Sequence, residues 1–289
     1  MAFFRALESV RRPSERLMAD SFAHAFLRPS LRWAVRLAKV PWLGVQVEEY
    51  ADCRLPGART SAIARTCLID EAFLSAIAGG IRQIAILGSG FDCRAHRLPE
   101  AASATIFEVD HPEMLVLKEA RLKHMVPAIP DNIRFAPIDF NRQSLPQVLA
   151  NAGFNRSIPA LFLWEGVTNY LSEDAVEAVL RYVGDCAPGS RIVFTYVHRG
   201  VLDGSIAFDG GPKIVRDVAE IGEPWTFGID PAELPGFLSK LRLQLDSDAG
   251  AAEYRLQFYG PKARQMRGYE FYHVAIAHSV KAGISPHRP

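Results

Sequence analysis

The stretch Ile84–Leu98 reads IAILGSGFDCRAHRL: four apolar residues that stop at Gly88-Ser89-Gly90, with charged side chains close behind. Glycine lets a strand end in a tight turn and lets a ligand approach the backbone with no Cβ in the way. A lone Gly-x-Gly fits a plain structural turn equally well, so its meaning depends on what the other strands present.

From residue 81 onward short β-rich runs alternate with helical periods, the pattern of a mostly parallel sheet covered on both faces. The candidate strands are Gln83–Leu87, Thr105–Val109, Ile133–Pro137, Ala160–Trp164, Arg191–Val197, Arg242–Leu245 and Phe271–Ala277. Between them Ser172 caps a helix in which Val176, Val179, Leu180 and Val183 recur at helical spacing. Asp230-Pro231-Ala232-Glu233 predicts another helix from Pro231 to about Lys240. The resulting fold is a doubly wound α/β sheet of seven strands.

In such sheets ligands bind beyond the carboxyl ends of the strands, so the residues following each strand carry the argument. The second strand, TIFEVD, contains Glu108 and ends in Asp110, 22 residues after Gly88. An acid there can accept two hydrogen bonds from ribose hydroxyls, although Asp110 also fits as a cap for a helix starting at Pro112. The third strand ends in Asp139-Phe140, a carboxylate for an exocyclic amine and a ring to cover a base, or simply a turn. The fourth, ALFLWEG, ends in Glu165-Gly166. Four successive strands ending in glycine or acid favour a cleft. A dinucleotide would want a third glycine for its pyrophosphate, and Cys93 stands there. Carboxylates repel a diphosphate and attract a sulfonium nucleoside with a free amino group, so S-adenosylmethionine fits better than NAD.

Composition excludes other classes. The chain has 289 residues, 49% of them hydrophobic, with 33 Lys+Arg against 32 Asp+Glu for a net charge of +1. That balance gives no footprint for nucleic-acid binding. Cys53, Cys67, Cys93 and Cys186 contain no C-x-x-C pair, which implies reduced thiols in a cytoplasmic protein and no metal site. No apolar run reaches the length of a membrane span, and the N-terminus does not read as a leader. Residues 1 to 47 are locally basic: Arg5, Arg11, Arg12, Arg16, Arg28, Arg32, Arg36 and Lys39 against Glu8, Glu15 and Asp20. This segment reads as a solvated helical face, a substrate lid or a surface-binding amphipathic element, because Phe22, Phe26, Leu31, Trp33, Leu37 and Trp42 lie between the arginines. No linker or repeat divides the chain, which implies one domain, 1–289, with a helical lid over 1–60 and a lid insertion over 201–226.

IAILGSGFDCRAHRL, followed by IFEVDHPEMLVLK, IDF and LFLWEGVTNYL, resembles the leucine carboxyl methyltransferase family and its bacterial small-molecule relatives, including polyketide O-methyltransferases. The upstream ARTCLID, Ala64 to Asp70, and the downstream GEPWTFGIDPAELPGFL are similar to the family as well. The resemblance implies a class I methyltransferase fold, Rossmann-like, with its last strand antiparallel. It also implies roles for particular residues. Arg65 would pair with the methionyl carboxylate of S-adenosyl-L-methionine, and Gly88 with Gly90 would lie against the methionyl part. Asp110 would hold the ribose, Asp139 and Phe140 the adenine, and Glu165 the ammonium. Arg59 is a reserve for Arg65. Cys93 before Arg94 departs from the Thr or Ser common in the family.

Methyl transfer from a sulfonium needs alignment and desolvation, and the acceptor decides what more. A carboxylate acceptor is already ionised, whereas a phenol or alcohol needs a base. Tyr170 is the candidate beside the transferred methyl, with Tyr196 second and His198 and Trp225 as strand-end and pocket-lining alternatives. The function implied is an O-methyltransferase forming a methyl ester on a small-molecule carboxylate. The alternatives are methylation of a natural-product hydroxyl and a non-catalytic S-adenosylmethionine-binding protein.

Overall fold

The computed structural model describes residues 1–139 and 142–280. Its centre is a seven-stranded sheet: β1 Gln83–Leu87, β2 Thr105–Asp110, β3 Ile133–Pro137, β4 Leu161–Trp164, β5 Arg191–Val197, β6 Leu243–Gly250 and β7 Tyr272–Ser279. The order is β3-β2-β1-β4-β5-β7-β6. The first five strands are parallel, and β7 runs antiparallel between β5 and β6.

Helices α1 Ala2–Val10, α2 Pro29–Leu37, α3 Pro41–Arg54 and α4 Ala58–Ala78 precede the sheet. Within it come α5 Arg94–Arg97, α6 Pro112–Leu122, α7 Leu145–Asn151, α8 Glu173–Gly184, α9 Arg199–Asp203, α10 Gly211–Glu220, α11 Leu234–Lys240 and α12 Ala251–Tyr259. The segment 201–226 thus contains α10 and the end of α9. Among the described residues no helix is long and apolar enough to cross a membrane.

Alternation along each strand sorts the core into two layers. On one face Ala85, Leu87, Phe107, Phe162, Trp164 and Phe194 pack against α7, α8 and α11. On the other Ile84, Ile86, Ile106, Leu161 and Val193 pack against Phe73 and Ile77 of α4 and Tyr254 of α12. Burial on both faces is why the inner strands are continuous apolar runs, each such side chain contributing about 1.5–3 kcal/mol.

The strand ends shift by one or two residues from the sequence reading at β2, β4, β7 and the start of β6, and two boundaries differ by more. Helix α11 begins at Leu234, not Pro231. Pro235 has no N–H to give to the Pro231 carbonyl, so a helix cannot run through both, and residues 231–233 form a turn. Asp230 Oδ1 accepts from the Ala232 N–H, while Glu233 pairs with Arg199 at 2.9 Å. The second difference is β6, which runs on to Gly250 through an irregularity between Leu245 and Ser247. Its added residues, Asp246 to Gly250, are polar or small on an exposed edge, so no apolar alternation announces them.

Candidate active site

β1 lies between β2 and β4, where the strand order reverses, and its carboxyl end opens into a cleft. Gly88 leaves the strand with φ +64, and the Gly88 and Ser89 N–H groups donate to the Val109 carbonyl at 2.8 and 3.1 Å. A Cβ on Gly88 would stand 2.5 Å from Val167 Cγ2. Glycine is therefore required twice at this position, for the left-handed backbone and for the close approach. Thr195 fixes the opposite wall: its Oγ1 accepts from the Gly166 N–H at 2.7 Å, and its carbonyl accepts from Thr168 Oγ1.

A cavity of about 230 Å³ follows, lined by Gly88, Ser89, Gly90 and Asp92, by Glu165 and Gly166, by Arg65 of α4, and by Met1, Ala2 and Arg5 at the start of α1. Ser89 Oγ is buried there without a hydrogen-bond partner. Arg5 anchors α1 over the glycine loop, its Nη2 donating to the Phe91 carbonyl at 2.5 Å and its Nε to Asp20 at 2.9 Å.

Glu165 is the electrostatic pivot of this cleft. Its Oε1 accepts from Arg65 Nε at 3.0 Å and its Oε2 from Arg94 Nη1 at 2.9 Å. Arg94 also pairs with Asp92 and, through Nε at 2.8 Å, with Asp70 of α4, which Arg97 bonds as well. Three guanidinium groups thus face three carboxylates, all little exposed. Burial raises the Glu165 pKa, but Arg94 and then Arg65 outweigh it and hold the carboxyl below its usual value. Asp92 behaves alike: burial pushes up, Arg94 and Lys118 pull down, and it ends at about 2. Both acids stay ionised at neutral pH. Arg65 further lies over the Tyr272 ring at 4.5 Å, which fixes its plane.

The other predicted residues fall in several places. Asp110 reaches the glycine loop, Oδ2 accepting from the Gly90 N–H at 2.6 Å and Oδ1 from the His111 N–H at 2.7 Å. It does not cap α6, whose N-cap is His111. Asp139, at the end of β3, accepts at its carbonyl from the Arg142 and Gln143 N–H groups and faces Arg142 across 3.5 Å. Phe140 lies outside the described residues. Tyr170 is exposed in the turn after β4, edge-on to Trp225 at 6.5 Å between centroids. Arg59 pairs with Asp52 and Glu48 of α3, so of the two candidate arginines Arg65 is the one in the cleft.

Tyr196 is a correction. Strand alternation turns it, with Phe194, into the core, where it is fully buried and stacks on His273 at 5.0 Å. Its hydroxyl donates to Asp248 of β6 at 2.8 Å, and burial with the Asp248 charge pushes its pKa far up. It does not line the cavity beside the glycine turn. His198 caps α9, its Nδ1 accepting from the Gly200 N–H, and burial lowers its pKa. Glu108, inside β2, pairs with Lys118 of α6 at 2.6 Å, both fully buried.

Sequence reasoning did not assign Arg94, Asp92 or Asp70 to the site. The signal was present as an arginine two residues after Asp92 in the glycine loop and an acid on the same helix as Arg65, but only the fold brings them together.

The chain matches the family model of leucine carboxyl methyltransferases over residues 1–184. A relative in Mycobacterium tuberculosis (strain ATCC 25618 / H37Rv) is 40% identical over 134 residues, 46% of this chain and 43% of the relative. One in Streptomyces coelicolor is 35% identical over 205 residues, 70% of this chain and 69% of the relative. Both carry the name "Putative S-adenosyl-L-methionine-dependent methyltransferase". The match thus spans less than half the length of the mycobacterial relative. A solved structure from Thermobifida fusca YX superposes with a TM-score of 0.61 at 17% identity, covering 96% of this chain and 94% of that one, which shows a common fold. With the glycine turn, the ring of acids at the strand ends and the reversed β7 all in place, the chain belongs to the leucine carboxyl methyltransferase family.

Proposed function

We propose that the chain is an S-adenosylmethionine-dependent O-methyltransferase that esterifies a carboxylate of a small molecule. The observation that carries this is the ionised Glu165 held between Arg65 and Arg94 beside the glycine turn, with Asp110 at the next strand end. Each of these carboxylates makes two hydrogen bonds and has lone pairs to spare, so an ammonium at Glu165 and ribose hydroxyls at Asp110 can still be accepted. The unpartnered Ser89 hydroxyl calls for a polar ligand in the same cavity. The donor set fits the cofactor.

When bound, S-adenosylmethionine supplies a methyl group on a positively charged sulfur. Arg65, Gly88, Gly90, Asp110, Asp139, Phe140 and Glu165 would hold it, and Tyr170 would line the acceptor side. Because ligand pockets run to roughly 300 Å³ or more, α1 must shift its first turn to admit a nucleoside. The helices over 1–60 and the segment 201–226 then act as the cover that excludes water. Orientation inside such a cover can contribute on the order of 7–11 kcal/mol.

Of the side chains that could act as bases, Tyr196 is tied to Asp248 and the His198 Nδ1 to Gly200, which favours an acceptor that is already ionised. A carboxylate needs none. The four free cysteines agree with a reducing, cytoplasmic location. The test is transfer of label from methyl-tritiated S-adenosylmethionine to panels of carboxylic acids and phenols. The reading expects label that alkali releases as methanol. Alkali-stable label would reassign the acceptor to a hydroxyl, and cofactor binding without transfer to any acceptor would remove the enzymatic reading.

A further inference from the structure

The α2–α3 hairpin has two faces of opposite chemistry. Inward, Leu31, Val35 and Ala38 pack with Ala6 and Leu7 of α1 and with Phe26. Outward, Trp33 and Trp42 are 62% and 65% exposed, and Leu37, Val40 and Val45 lie open around them. Single exposed apolar residues are ordinary, but five within thirteen positions of one hairpin form a patch.

The charge along α2 and the turn into α3 has one sign. No acid occurs between Asp20 and Glu48, while Arg28, Arg32, Arg36 and Lys39 all fall there. Residues 21–47 thus carry four cations and no acid in a chain that is +1 as a whole, so the remainder is net negative; of the acids further along α3, Glu48 and Asp52 pair with Arg59. Arg32 is spent inside the fold on the carbonyls of Leu27 and Ala25. Arg28, Arg36 and Lys39 are exposed, and the Arg36 guanidinium lies 5.2 Å from the Trp33 ring. Nothing in the cleft uses any of these side chains.

An occupant must therefore be apolar beneath and anionic at its surface. Indole rings settle at the headgroup level of a bilayer, and arginine and lysine beside them meet lipid phosphates. A second copy placed by two-fold symmetry with α2 on α2 would bring the cations of Arg28, Arg36 and Lys39 together instead. We propose that the α2–α3 hairpin docks the protein on an anionic membrane surface, with Trp33 and Trp42 seated among the headgroups and Arg28, Arg36 and Lys39 facing lipid phosphates. This stands on the exposed surface alone, independently of the activity proposed above.

The test uses the full chain with phosphatidylcholine vesicles and with vesicles that also contain phosphatidylglycerol, at low and high NaCl. Cosedimentation with the anionic vesicles alone, weakening at high salt, and a blue shift of tryptophan emission are expected. Each cation near an anionic surface contributes about five-fold in partition, so R36Q/K39Q should bind about 25-fold more weakly. W33S/W42S should lose binding and the blue shift while keeping its circular dichroism and S-adenosylhomocysteine affinity. Failure of the wild type to bind anionic vesicles, or equal binding to neutral ones, overturns the proposal. So does concentration-dependent self-association in sedimentation equilibrium that W33S/W42S abolishes, which would make the patch an interface between copies.

Discussion

Glu165→Gln removes one charge and keeps the shape, so it isolates what the ionised carboxylate does between Arg65 and Arg94. Breaking a buried ion pair on one side costs about 3–5 kcal/mol. Here Arg94 keeps Asp92 and Asp70, and the Glu165 side chain is 17% exposed, which places the loss at the lower end, about 3 kcal/mol. In a chain of this size that corresponds to a fall of about 5 °C in melting temperature. The pH dependence has a definite sign. Because the folded-state pKa of Glu165 is held below its usual 4.5, its stabilisation is fully present above that value and is lost as pH falls through the folded pKa. Urea denaturation in a pH series should therefore show wild type and variant well apart at neutral pH and converging below about 4.5. In the same samples S-adenosylhomocysteine should bind roughly 10- to 100-fold more weakly, from the loss of a charged hydrogen bond. Equal urea midpoints at neutral pH, or a gap that persists in acid, would refute the electrostatic reasoning. A stability loss with unchanged ligand affinity would leave Glu165 as a strut only.

Gly88→Ala should destabilise the fold by about 1–3 kcal/mol, because alanine must adopt a left-handed backbone. It must also meet Val167 Cγ2 at 2.5 Å; adding Val167→Ala should restore the second part of the loss and not the first, as read by urea midpoints. Of the four thiols, only exposed Cys53 should react quickly with a disulfide reagent in the native state. Burial pushes Cys67 up to about 12 and Cys186 to about 11, and raises Cys93 too, so these three should react only on unfolding. Two or more fast thiols would contradict the packing described.

The strands were legible because parallel strands buried on both faces must be apolar throughout, so QIAIL, TIFEVD and RIVFTYV announce themselves. The last five residues of β6 were not, since an edge strand with exposed Asp and Ser carries no such signature. Residue types at strand ends pointed to Gly88, Asp110 and Glu165, because topology alone puts those positions at one rim. Direction was harder. Tyr196 stands at a strand end yet points into the core, and its alternation with Phe194 was the clue. Arg94 escaped because its three carboxylate partners come from the glycine loop, α4 and the end of β4, a convergence that no local pattern encodes. Its neighbour Cys93 packs in the apolar cluster around Phe26 and Leu122 with its thiol 3.4 Å from the Phe91 carbonyl, an apolar filler in a place where the family often carries a hydroxyl.

Helix α4 is a single rod of 21 residues, about 30 Å long. Near its start Ala58, Ala62 and Ile63 pack with Ala51 of α3, and half a turn further on it carries Arg65 into the cleft. A helix transmits tilt along its length without bending appreciably, and this one is buried along both its apolar sides. The contact with the hairpin and the Arg65 guanidinium in the cleft are therefore carried by one helix, two residues apart in sequence. One element thus joins the outer surface of the molecule to the centre of its charge network.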